Sequence, residues 1–191
     1  MVLYTIFTEK SNMRLFIAIG LQENIKEYLI NIQESIGNAL AKIMWVNDDQ
    51  MHLTLNFLGE VNSADIDKIK ENLSKVKFEE FSFCLDSIGV FPNENFIRVV
   101  WIGIKPEEKV IELKKDIDNN LKGFKEDYKF KPHITLGRVK FVEDKNKFVK
   151  KLKKIKVENR KIDVRSFKLI KSTLTKQGPV YEELYIFNKF N

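Results

Sequence analysis

A succession of hydrophobic periods runs through the first half of this chain and then starts again, and few folds can accommodate that. Arg14–Ile19 is an apolar run of strand length, after which Ile25, Tyr28, Leu29, Ile32, Ile36 and Leu40 recur at helical spacing. Met51–Leu58 reads as a strand ending at Gly59. Asn62 or Ser63 then stands where a helix cap is needed before Ile66, Ile69, Leu73 and Val76. Phe81, Phe83 and Leu85 alternate as a third strand. From Phe96 the order returns. Ile97–Ile104 is apolar on both faces, as a central strand is, and Pro106 opens a helix with Val110, Leu113, Ile117 and Leu121 inward. His133–Val139 reads as a strand, Phe148, Leu152 and Ile155 as a helix, and Ile162–Ile170 as a strand; Gly178-Pro179 turns into a last strand, Val180–Phe187. Corresponding elements lie about 80 residues apart, which implies a duplicated β-α-β-α-β unit with two lobes about a pseudo-twofold axis.

At 191 residues the chain has the length of one compact domain, and with 43% hydrophobic residues it can build a real core, which excludes disorder. We expect a single bilobal unit, 13–92 and 93–191, behind a poorly structured extension, 1–12; an extra strand at Val2–Phe7 is the alternative. Cys84 is the only cysteine, so no internal disulfide and no thiolate metal cage can form, and a reducing cytoplasm fits. No apolar run approaches the ~18 residues of a membrane span, and Met1–Phe7 lacks the charged start of a signal peptide. The net charge of +6 favours polyanionic partners without identifying one.

The two histidines open the same tetrapeptide, His52-Leu53-Thr54-Leu55 and His133-Ile134-Thr135-Leu136, on the equivalent strand of each repeat. Strand alternation sends His and Thr to one face and the apolar pair to the other. A single His-x-Thr means little. Chance placement of a sparse residue such as threonine behind both histidines is on the order of one in a thousand. Facing each other across a cleft, two imidazoles could serve as base and acid at neutral pH, and two threonine hydroxyls could donate to phosphate oxygens. A 2′,3′-cyclic phosphate needs little more, because its ring is already strained. Two histidines without a nearby Cys or carboxylate lack the usual zinc ligand set, so metal-free catalysis is expected, with no cofactor.

The chain resembles the two-histidine phosphoesterase superfamily, and within it the RNA 2′,3′-cyclic phosphodiesterases once described as 2′-5′ RNA ligases. Besides the motifs, Met13-Arg-Leu-Phe-Ile-Ala-Ile, Trp45-Val46, Phe57-Leu58-Gly59-Glu60, Gly89-Val90-Phe91-Pro92, Val99-Val100-Trp101, Lys131-Pro132-His133 and Gly178-Pro179-Val180-Tyr181 carry the likeness, which runs from Met13 to the C-terminus. It implies an α+β fold with two antiparallel sheets flanked by helices around a central cleft. It also implies metal-independent hydrolysis of RNA 2′,3′-cyclic phosphate ends to 2′-phosphates. His52 would donate a proton to the leaving 3′ oxygen, His133 would activate water, and Thr54 and Thr135 would hold the phosphate.

Further candidates are Arg138 as a phosphate clamp, which needs a bulge at Gly137 to reach the His133 face, and Tyr181 and Phe130 as stacking platforms for a terminal base, with core packing the competing role. Trp45 and Trp101 are expected in the core, Cys84 packed, and Lys147–Lys156 a solvated helix face. Expected partners are RNA ends, tRNA fragments or small cyclic nucleotides, with no membrane and a monomeric state. A 2′-5′ RNA ligase, a noncatalytic RNA-end-binding module and a zinc or magnesium phosphatase are the competing functions.

Overall fold

A computed structural model describes residues 12–123, 130–176 and 178–189. Its strands are β1 (Asn12–Gly20), β2 (Ala41–Trp45), β3 (His52–Asn62), β4 (Phe81–Asn93), β5 (Phe96–Lys105), β6 (His133–Val142), β7 (Lys161–Val164), β8 (Ser166–Thr175) and β9 (Gly178–Asn188); its helices are α1 (Glu23–Ile36), α2 (Ile66–Leu73), α3 (Glu108–Asn120) and α4 (Lys145–Lys154). The proposed strand at Val2–Phe7 lies outside the described residues, whereas Asn12 already belongs to β1, paired with Asn62.

Every strand pair is antiparallel, in the order β7-β4-β5-β6-β3-β1-β8-β9, with β2 on β6. The two arms are therefore one curled sheet rather than two separate ones, and they meet at a single pair, Leu53↔Ile134. Read from that seam outward the arms correspond: β3-β1-β8-β9 on one side, β6-β5-β4-β7 on the other. Each arm also borrows from the opposite half of the chain, since β8 lies beside β1 and β4 beside β5.

Several elements differ from the sequence expectation; Val76, Leu121 and Ile155 fall just beyond α2, α3 and α4, and four further differences bear on how the sheet is built. Gly37, at φ 58°, ends α1 by donating its N–H to the Gln33 carbonyl, so Leu40 falls outside the helix. The next residues form β2, whose two buried side chains, Ala41 and Ile43, are too few to announce a strand. Strand β3 runs through Gly59 to Asn62, whose side chain accepts the Ala64 N–H and opens a short 3₁₀ turn before α2. The expected strand Ile162–Ile170 is two strands split at Arg165, one in each arm.

One apolar core fills the space between sheet and helices, with Leu53, Leu55, Ile134 and Leu136 at 0% exposure on the core side of β3 and β6. A second, small cluster of Phe16, Ala18 and Ile170, with Tyr181 against it, stands apart. Trp101 is buried, as expected, and its indole occupies the space a Cβ on Gly89 would need, 2.2 Å away. On α4, Phe148 and Leu152 are buried while Lys147 and Lys153 pair with Asp144 and Glu94, a solvated lysine face.

Candidate active site

The seam between the arms is built from the repeated motifs. With Leu53 opposite Ile134, antiparallel register carried one residue either way sets His52 opposite Thr135 and Thr54 opposite His133. All four are partly buried on one face, while Leu53 and Ile134 anchor the other. Each histidine also faces a glycine on its other flank, Gly20 for His52 and Gly103 for His133.

Each imidazole is held by two rings and one carbonyl. Phe16 and Tyr181 lie 4.9 and 5.4 Å from the His52 ring, and Phe91 and Trp101 lie 4.9 and 6.0 Å from the His133 ring. His133 Nδ1 hydrogen-bonds the Lys131 carbonyl at 2.7 Å, and His52 has the matching bond to the Gln50 backbone, in both cases two residues back. In each ring this bond engages one nitrogen and leaves the other outside it. Burial pulls the His52 pKa from 6.5 to about 4; the bond to Gln50 opposes it, and the charge of His133 adds to the fall, so the two rings feel each other. His133 is lowered too, first by burial, against its bond to Lys131, and then by the charge of that lysine. Both rings are therefore neutral near pH 7 before any anion binds.

Arg138 reaches this face by a bulge whose extra residue is Leu136, one position before the expected Gly137. Thr135 pairs with Trp101 and Gly137 with Val100, so Leu136 is the extra residue and the alternation beyond it is inverted. Exposed Arg138 lines a cavity of about 360 Å³ with Arg14, Phe16, Phe57, Ser172 and Tyr181, beside His52. Burial raises the Tyr181 hydroxyl pKa; Arg138 lowers it, Asp49 raises it and Arg14 lowers it again. The structure thus brings together His52, Thr54, His133, Thr135, Arg138 and Tyr181. It does not bring in Phe130, which packs on the main core with Lys114 Nζ 5.4 Å from its ring.

Sequence reasoning missed Phe16, Phe91 and Trp101 as walls of the imidazoles, and Arg14. All four lie in segments that carry the family likeness, which gave them no place in the site; the further signal was position, Phe16 four residues before Gly20 and Trp101 two before Gly103, on the strands flanking the motifs. Among the described residues no group of three or more His, Cys, Asp or Glu side chains is placed to hold a metal ion.

Comparison with known proteins matches both halves of the chain. The family model of LigT-like phosphoesterases matches residues 19–101 and again 102–181. A protein of Methanocaldococcus jannaschii named RNA 2′,3′-cyclic phosphodiesterase is 41% identical over 174 residues, 89% of this chain and 97% of that protein. A protein of the same name from Archaeoglobus fulgidus is 37% identical over 179 residues, 92% and 99% of the two chains. The crystal structure of Escherichia coli LigT complexed with 3′-AMP superposes with a TM-score of 0.73 at 25% identity, covering 93% of this chain and 98% of that one. With the paired motifs, the curled sheet and matches along both halves, the chain belongs to the LigT-like phosphoesterase family.

Proposed function

We propose that this protein hydrolyses 2′,3′-cyclic phosphate ends of RNA to 2′-phosphates, using its two histidines as base and acid and no metal. The observation that carries the proposal is the meeting of both His-x-Thr motifs at one strand pair, with the imidazoles close enough for one charge to depress the pKa of the other. The relatives named RNA 2′,3′-cyclic phosphodiesterase support the substrate.

In this scheme the cyclic phosphate sits over the seam, its nonbridging oxygens accepting hydrogen bonds from Thr54 and Thr135 and facing the Arg138 guanidinium. His133, neutral, takes a proton from water as the water oxygen bonds to phosphorus. His52, charged once the anion is bound, gives its proton to the ribose 3′ oxygen as that bond breaks. One proton is taken and one given, so the pair ends with its protonation exchanged. The adjoining cavity takes the terminal nucleoside against Tyr181. All these groups come from one chain, so a monomer suffices. RNA ends, tRNA fragments among them, and small cyclic nucleotides fit the same chemistry. Cys84 is a free thiol, in keeping with the cytoplasm.

The test is to incubate an RNA ending in a 2′,3′-cyclic phosphate with the protein in excess chelator and identify the product. A 2′-phosphate supports the proposal. A 3′-phosphate or a joined RNA overturns it, as does activity that needs added metal; binding without hydrolysis would favour an RNA-end-binding module.

A further inference from the structure

Among the described residues only three polar or charged side chains are buried, Gln33, Asn56 and Lys114, and all three serve the strands that carry the motifs. Gln33, from α1, donates through Nε2 to the Leu136 carbonyl at 2.9 Å and to the Val46 carbonyl at 2.8 Å. Leu136 is the extra residue of the β6 bulge, and its carbonyl also accepts the Val46 N–H at 2.9 Å. Gly137, next in the bulge, lies so close to β2 that an added Cβ would stand 2.6 Å from Ile43 Cγ2 and 2.8 Å from Trp45 Cε3.

Strand β3 repeats the arrangement. Thr54 pairs with Ala18 and Asn56 with Ile17, so Leu55 is its extra residue. Asn56 donates to Asp118 of α3 at 3.0 Å, and Lys114 Nζ holds both oxygens of that carboxylate at 2.8 and 2.6 Å. Helix α1 of the first half thus fastens the second motif strand, and α3 of the second half fastens the first. In both strands the bulge follows directly on the motif threonine and turns the residue three further on, Phe57 or Arg138, toward the cavity.

We infer that Gln33 is a positioning residue for the phosphate site: by holding the Leu136 carbonyl it fixes the bulge that aims Arg138 at the bound phosphate. Apolar packing could fill the same volume, but it cannot hold two carbonyls at a defined spacing, and without the bulge plain alternation would send Arg138 to the other face. The inference builds on the phosphate role proposed for Arg138.

The experiment uses the full chain as wild type, Gln33→Met, Arg138→Ala and the double variant, with inorganic phosphate as the probe, its affinity measured by calorimetry alongside KM and kcat on the cyclic-phosphate RNA. Arg138→Ala is expected to weaken phosphate binding about tenfold or more, the loss of a charge-assisted hydrogen bond. Gln33→Met should weaken it about fivefold to tenfold, and in the Arg138→Ala background by less than about twofold. Should Gln33→Met fail to fold, Gln33→Glu, a neutral acid at a buried site, keeps one of the two donors and should give an intermediate loss that also vanishes without Arg138. Losses that multiply fully in the double variant overturn the inference, as does an unchanged phosphate affinity in Gln33→Met or Arg138→Ala. Failure of wild type to hydrolyse the RNA while the phosphate coupling holds would instead refute the proposed reaction and leave the role of Gln33 standing.

Discussion

Loading the site with an anion that does not itself titrate near neutrality, such as sulfate, should change the proton affinity of His52 by a large and calculable amount. Free His52 has its pKa pulled to about 4, chiefly by burial, so at pH 7 on the order of one molecule in a thousand carries the charge an acid catalyst needs. Raising the pKa to about 7 takes about 4 kcal/mol of preferential stabilisation of the imidazolium. Two unit charges about 4 Å apart at an effective dielectric near 20 supply about that much, so one bound anion over the seam suffices. The chain has only two histidines, which makes their ring carbon-proton signals directly readable by NMR. In the free protein one ring should titrate near 4 and the other below 6.5. Under saturating sulfate at least one midpoint should rise by about 2–3 units. A free His52 that titrates at or above 6.5, or two midpoints that sulfate leaves in place, would refute the electrostatic reasoning.

Stability should carry the same signature. Between pH 6.5 and about 4 the unfolded chain binds protons that folded His52 does not, so lowering the pH through that window removes stability, by about 3 kcal/mol when complete. Urea midpoints at pH 7 and 5 should therefore fall less in His52→Asn than in wild type; an equal fall would contradict the burial assigned to this ring. Gly89→Ala would put a methyl group 2.2 Å from the Trp101 ring and should lower stability by about 1–3 kcal/mol, read as a depressed Tm, with activity reduced because Trp101 is a wall of His133. Arg138→Ala should raise KM for the cyclic-phosphate RNA about tenfold or more at low salt, with the difference from wild type narrowing as salt increases; a KM unchanged at every ionic strength would remove Arg138 from the site.

Much of the fold is legible in the residues because helices and strands leave different periods. Ile25 to Ile36 and Val110 to Ile117 are buried as the helical spacing requires. The motif tetrapeptides declare their own geometry, since strand alternation already separates His and Thr from Leu and Ile. What eluded the sequence is pairing. Ile162–Ile170 looks like one run, yet Ile162 and Val164 are buried on one parity and Phe167 and Leu169 on the other, a switch at Arg165 that marks a change of arm. The reach of Arg138 likewise depends on one unpaired residue, Leu136, and on Gln33, more than a hundred residues earlier, whose hydrogen bond leaves no periodic trace. The aromatic walls around the imidazoles come from strands adjacent only in the folded sheet.

The central claim is that both imidazoles act on one phosphorus atom, and single-turnover hydrolysis of an RNA 2′,3′-cyclic phosphate by folded His52→Ala and His133→Ala tests it most directly. Each substitution should slow cleavage by about 10²–10⁴, and the double variant should be little slower than the worse single one. Cleavage at the wild-type rate by either variant would contradict the claim.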